Sequence, residues 1–157
     1  MKTEQINFDL IGDVHGHFET LLQMISLLGY KKNQTSYFHP QGRKILFVGD
    51  LINRGPDSVG VLKLVKELHQ TGVAELCLGN HEFRLLQQAH KNPSEVTEEF
   101  LPFLSWLRTI PFFLEKENFR VVHAAWHYSS VQLLRGKSAG DDSFISKTLQ
   151  KGSLEQH

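Results

Sequence analysis

Four stretches of this sequence end an apolar run in residues that can hold a cation or move a proton. Asp13 and His15 follow Phe8-Asp9-Leu10-Ile11-Gly12, and Asp50 and Arg54 follow Ile45-Leu46-Phe47-Val48-Gly49. Asn80 and His81 follow Ala74-Glu75-Leu76-Cys77-Leu78-Gly79, and His123 follows Phe119-Arg120-Val121-Val122. At i and i+2 of an extended segment Asp13 and His15 leave the same face, so they can grasp one cation. The two oxygens of Asp50 can bridge that cation to a second one, as two-metal sites with ions about 3.5–4 Å apart require. Asn80 offers a neutral oxygen and His123 an imidazole for the second ion. This mixture of O and N donors suits Mn, Fe, Zn or Ni better than Ca.

Two divalent ions sharing a water leave hydroxide available near neutral pH, in line for attack on phosphorus. The planar fork of Arg54 can bind two phosphate oxygens and offset the charge that develops on them. His81, beside Asn80, is placed to protonate the leaving oxygen, which requires its imidazolium form. Taken singly each piece has a plainer reading, as a loop cap, a surface salt bridge or a hydrogen-bonded core histidine. Four strand-terminal sites in the order Asp-x-His, Asp, Asn-His, His leave little room for that reading.

Strands and helices must deliver these groups. A strand over 6–11, helical spacing of Phe18, Leu21, Leu22, Ile25 and Leu28, and a strand over 44–48 make one strand-helix-strand unit, with 31–42 as a loop or irregular hairpin. Asp57 or Ser58 can cap a helix carrying Val61, Leu62, Val65 and Leu68, and a third strand over 73–78 follows. The β-α-β-α-β series predicts an α/β fold with a parallel sheet, whose ligands bind beyond the carboxyl ends of the strands. Helices are expected over 82–91 and 95–109, the second rich in aromatics that pack inward, then a hairpin of 112–115 with 119–123. From Ser138 onward the sequence is polar with little periodicity, which predicts a loosely ordered tail over 138–157 after a domain over 1–137.

At 157 residues the chain is long enough for one real core without disulfides. Its 17 basic and 17 acidic side chains cancel, which argues against a nucleic-acid partner gripped by bulk charge. The single cysteine, Cys77, lies within an apolar run and reads as core. One thiol and no apolar segment at the N-terminus make the cytoplasm the expected compartment and a membrane partner unexpected.

Gly12-Asp13-Val14-His15-Gly16, Gly49-Asp50-Leu51-Ile52-Asn53-Arg54-Gly55 and Gly79-Asn80-His81-Glu82, with His123, resemble the motifs of the calcineurin-like metallophosphoesterases. The closer resemblance is to the branch of serine/threonine phosphoprotein phosphatases and bacterial diadenosine tetraphosphatases. It implies Asp13, His15 and Asp50 on one metal, Asp50, Asn80 and His123 on the other, His81 as general acid and Arg54 on the phosphate. It also implies two β-sheets flanked by helices, and two divalent ions, Mn²⁺ first with Fe, Zn, Ni or Mg as alternatives. The expected activity is hydrolysis of phosphate monoesters or nucleotide phosphoanhydrides by metal-hydroxide attack. A phosphoprotein or nucleotide is the expected substrate.

Two departures from the family pattern stand out. Where the phosphoprotein phosphatases carry an aspartate before the motif arginine, this chain has Asn53, which accepts a hydrogen bond but adds no charge to steady an imidazolium. This tilts the expectation toward anhydrides, whose better leaving groups need less protonation. The family also has a further metal-binding histidine downstream, and only His127 and His157 follow here. The chain therefore reads as C-terminally incomplete, with apolar surface left for a partner copy to cover. A non-catalytic module that binds metal or phosphate and acts through another chain is the alternative.

Overall fold

The structure, a computed structural model, describes residues 6–150. Contacts within the chain divide it between Leu76 and Cys77 into two compact units.

The first unit is built on a parallel three-stranded sheet in the order β1 (Phe8–Ile11), β4 (Lys44–Phe47), β5 (Ala74–Leu76). β1 and β4 pair with Leu10 opposite Leu46, and β4 and β5 with Leu46 opposite Glu75. The middle strand is the most apolar, and Ile45, Leu46 and Phe47 are all fully buried. A strand buried on both faces needs such an unbroken apolar run. Helix α1 (Phe18–Leu27) buries Leu21 and Ile25, and α2 (Ser58–Gln70) buries Val61, Leu62, Leu64, Val65 and Leu68, the stripes expected from helical spacing. Asp57 caps α2 by accepting the Gly60 N–H at 2.6 Å. Between α1 and β4 lies a short hairpin, β2 (Lys31–Lys32) with β3 (Tyr37–Phe38), turned by Asn33 Oδ1, which accepts the Thr35 and Ser36 N–H groups. The third strand is shorter than the 73–78 expected, because it leaves the ladder at Cys77.

The second unit opens with α3 (Asn80–Lys91), which begins two residues before the expected start, so Asn80 and His81 form its first turn. The helix expected over 95–109 is broken into 3₁₀ turns at Pro93–Glu95 and Glu98–Phe100, then α4 (Leu101–Leu107). Pro102 explains the difference. It has no N–H to donate and its ring clashes with the carbonyl four residues back, so a helix can start at Leu101 but cannot run through. Phe103, Trp106 and Leu107 are buried, in line with the inward-packing reading of the aromatics. β6 (Phe113–Glu115) and β7 (Arg120–Val122) form the expected antiparallel hairpin, and α5 (Tyr128–Leu134) follows it.

The tail expectation is corrected for the described residues, because α6 spans Asp142–Gln150. Asp141 Oδ1 accepts the Ser143 N–H at 2.8 Å, Ile145 is fully buried, and Phe144 joins a ring cluster with Phe83 and Phe112. His90 Nε2 lies 2.8 Å from Ser146 Oγ, and Arg108 donates to Asp142 at 2.8 Å, which docks the helix on its unit. One buried apolar position, Ile145, in nine residues sets no period to read, so the helix is stabilised by packing rather than by propensity. The expected position of His157 lies outside the described residues. The α/β class holds, with small sheets.

Candidate active site

The first unit assembles its polar groups from two loops at the carboxyl ends of adjacent strands. Residues 12–17 follow β1 and residues 48–57 follow β4, and parallel pairing of those strands sets the loops side by side. They are then stitched through backbone. The Val14 and His15 N–H groups both donate to the Asp50 carbonyl, at 3.0 and 2.9 Å, and Gly16 N–H donates to Leu51 at 2.8 Å. In return Gly55 N–H reaches the His15 carbonyl at 2.7 Å and Asp57 N–H the Gly16 carbonyl at 2.9 Å. Gly55 is required by this closeness, since a Cβ there would overlap the His15 carbonyl oxygen and sit 2.7 Å from the Gly16 carbonyl carbon.

His15, Asp50, Asn53 and Arg54 all have left-handed backbone, with φ of 46°, 51°, 70° and 68°. Histidine, aspartate and asparagine visit this region more readily than most residues, and arginine much less so. Such conformations persist where the surroundings over-determine them, and they gather at functional sites. Here the surroundings are the loop-to-loop bonds above and the bond from Asn53 N–H to Ser58 Oγ, 2.9 Å. The positive φ at His15 also corrects the reason given for the Asp-x-His pair. The two side chains meet through a tight turn rather than by alternation along a strand.

The resulting geometry favours a cation. His15 Nδ1 lies 3.1 Å from the Ile52 carbonyl, which can only accept, so Nδ1 carries a proton and Nε2 is the ring atom left to bind a metal. That Nε2 stands 3.5 Å from Asp13 Oδ2 and 3.8 Å from Asp50 Oδ2. Donors bound to one ion at about 2.0–2.2 Å sit roughly 3–3.6 Å apart, so one imidazole nitrogen facing two carboxylates, one within that spacing at 3.5 Å and one just beyond it at 3.8 Å, suits a divalent metal. Backbone orientation of the distal ring nitrogen is the usual way a ligating histidine is held. Asp50 is 3% exposed and His15 7%, whereas the Asp13 side chain is 51% exposed, so the cluster runs from the interior to the surface. Arg54 lies at the exposed end of the second loop.

The second unit holds the remaining predicted residues. Asn80 and His81 occupy the first turn of α3, and His123 follows β7 directly. His123 Nε2 and Asn80 Oδ1 are 3.1 Å apart, so these two predicted ligands are brought together. His81 is partly buried. His127, the nearer of the two later histidines, has its Nδ1 2.9 Å from Ser130 Oγ. Cys77 is fully buried and its thiol is pushed up to about 11 by that burial, as a core residue should be.

Three contributors escape a reading of side-chain types. Ile52 acts through its carbonyl, and Ser58 through a hydroxyl inside what reads as an ordinary helix start. Glu82 is 1% exposed and accepts the Gly79 N–H at 3.1 Å, which fixes the turn that presents Asn80 and His81. Its place three residues after Gly79 is the position from which a helix's third residue reaches back to the cap, and that was the available signal.

Comparison with known proteins shows what the chain is similar to. The chain is 46% identical over 76 residues to a bis(5'-nucleosyl)-tetraphosphatase PrpE (asymmetrical) of Halalkalibacterium halodurans, a match covering 48% of this chain and 31% of the relative. It is 34% identical over 89 residues to the PrpE of Bacillus subtilis, covering 57% of this chain and 36% of the relative. The matched stretches are thus about a third of those relatives' length. Among solved structures, one provisionally assigned as a diadenosine tetraphosphatase superposes with a TM-score of 0.59 at 27% identity, over 81% of this chain and 54% of the other. A mutant cold-active protein tyrosine phosphatase shares the fold, with a TM-score of 0.66 at 18% identity over 98% of this chain and 57% of the other. The family model described as calcineurin-like phosphoesterase matches residues 6–148, the stretch that carries every loop described above, and the chain therefore belongs to the calcineurin-like phosphoesterase family.

Proposed function

We propose that this chain carries the catalytic residues of a two-metal phosphoesterase acting on phosphate monoesters or nucleotide phosphoanhydrides. The observation that carries this reading is the His15 ring, whose Nδ1 faces the Ile52 carbonyl and whose Nε2 faces the Asp13 and Asp50 carboxylates. Asp13, His15 and Asp50 would hold one divalent ion, and Asp50, Asn80 and His123 the other. Mn²⁺ is the first choice for both, with Fe, Zn, Ni or Mg as alternatives. When bound, such a pair lowers the pKa of a shared water toward neutrality and neutralises charge on the phosphate oxygens.

The chain's own groups supply the rest. Arg54 sits on left-handed backbone at the exposed end of its loop and binds two phosphate oxygens through its fork. His81 donates a proton to the leaving oxygen. Asn53, an amide where charge would strengthen that acid, favours substrates with good leaving groups, and the curated relatives named as nucleoside tetraphosphatases point the same way. The substrate is then a dinucleoside polyphosphate or related anhydride before a phosphoprotein. Among the described residues no helix is long and apolar enough to cross a membrane. The single buried thiol supports the cytoplasm as its compartment.

The test is hydrolysis of diadenosine tetraphosphate and of an aryl phosphate by the metal-stripped protein with and without Mn²⁺, alongside Asp50→Asn and His81→Ala. Mn²⁺-dependent turnover is expected, lost in Asp50→Asn and reduced by about 10²–10⁴ in His81→Ala. Folded protein that binds one metal or none and turns over neither substrate would overturn the reading and leave a metal- or phosphate-binding module.

A further inference from the structure

A cavity of about 190 Å³ opens in the first unit, between the loop after β1 and the first turns of α1. Ile11, Val14, Leu21 and Met24 give it apolar walls, and Asp13, His17 and Thr20 add polar groups. Asp13 is common to this cavity and to the carboxylate-imidazole cluster, so anything seated in the cavity is one side chain away from the proposed metal. We propose that this cavity receives the heteroaromatic base of a nucleotide substrate and so selects nucleotides over other phosphates.

The chemistry of the walls favours that occupant. A phosphorylated serine or an inorganic polyphosphate has no planar apolar group to fill an aliphatic cavity, whereas a base has apolar faces and a polar edge. The volume is below the roughly 300–1,000 Å³ that takes a whole drug-sized ligand, which suits one ring system rather than an entire dinucleotide. Met24 is 44% exposed, and a flexible polarizable thioether adapts to a ring face or edge. The Thr20 hydroxyl and the His17 imidazole can donate or accept at the base edge. The link from this cavity to substrate choice rests on the phosphoesterase reading, but base binding itself does not.

The chain has two methionines, Met1 and Met24, so methyl-labelled protein gives two signals, assigned with Met24→Leu. Titration with AMP should shift the Met24 methyl saturably, and ribose 5-phosphate should not. A shift that is absent up to millimolar AMP, equal with ribose 5-phosphate, or driven by protein concentration alone would overturn the proposal, the last by making the cavity a contact between copies. In the kinetic arm, Thr20→Trp fills the cavity from its rim. It should raise KM for diadenosine tetraphosphate at least about 10-fold, with inorganic tripolyphosphate turnover held within about twofold. Equal effects on both substrates, or none, would overturn it. Wild-type protein that hydrolyses neither would sink the phosphoesterase reading, and the AMP titration then decides base binding by itself.

Discussion

Gly55→Ala places a methyl group where the loops after β1 and β4 are stitched together. The added carbon overlaps the His15 carbonyl oxygen and lies 2.7 Å from the Gly16 carbonyl carbon. Carbon atoms prefer about 3.5–4.0 Å, so the loops must part by roughly 1 Å. The obstacles are backbone atoms and cannot rotate away, which puts the cost at about 1–3 kcal/mol, typical of overpacking. For a chain of this size that lowers Tm by roughly 2–12 °C. The same displacement separates Asp13 and His15 from Asp50, so Mn²⁺ affinity should fall by about 10–100-fold, the cost of disturbing groups that orient metal ligands. Two other glycines separate crowding from conformation. At Gly42 a Cβ meets nothing within 4 Å but φ is +67°, and at Gly12 a Cβ meets nothing within 4 Å and φ lies outside the left-handed range. Gly42→Ala should therefore cost about 1 kcal/mol without touching metal affinity, and Gly12→Ala neither. Differential scanning calorimetry gives the first quantity and isothermal titration with Mn²⁺ the second. If Gly55→Ala matched Gly12→Ala in both, the loops would not be locked to each other and the geometric account of the metal ligands would fail.

Tyr30→Phe removes the 3.0 Å bond from the buried Tyr30 hydroxyl to Asp9 and should cost about 0.5–1.5 kcal/mol in urea unfolding. The Arg43 guanidinium, and secondarily the Tyr30 hydroxyl, hold the Asp9 carboxyl below its ordinary value of 3.8 against the opposing effect of burial. The stability Asp9 confers is thus present above pH 3.8 and lost as pH falls through the lower folded-state value, so wild type and Asp9→Asn should differ at pH 7 and converge in stronger acid. Ile145→Ala should cost about 2–5 kcal/mol because its side chain is fully buried, and an unchanged urea midpoint would mean that 142–150 is not docked. Cys77, with a thiol near 11, is ionised to roughly one part in a thousand at pH 8, so native protein should resist iodoacetamide and label only when unfolded.

Much of the site was legible from residue types alone. A short run such as Ile45-Leu46-Phe47, bounded by glycine, reads as buried strand, and a carboxylate, amide or imidazole soon after such a run is expected near the strand's carboxyl end. That reasoning singles out Asp13, His15, Asp50, Asn80 and His123 as candidates, because periodicity and abrupt changes of polarity are local properties of the chain. Asp57 as a cap and the 113–122 hairpin were readable for the same reason.

What the sequence could not state is whatever depends on backbone groups or on distant packing. The Ile52 carbonyl that sets the His15 tautomer has no side-chain signature, nor have the carbonyls that crowd Gly55. The turn at His15 replaces strand alternation because two loops from paired parallel strands must interlock, and that follows from the register of β1 on β4. Pro102, read only as part of a longer helical stretch, is the residue at which a helix can start but not continue, and it sets the start of α4. Helix α6 is the plainest case. Its few apolar residues are too sparse to announce a helix, and it is held by Ile145 in the core and by rings and polar groups from α3 and neighbouring segments of its unit, some more than thirty residues earlier in the chain. Local pattern decides which residues carry the chemistry, whereas the tertiary structure decides their orientation, because backbone hydrogen bonds and buried contacts between distant segments leave no trace in the order of side chains.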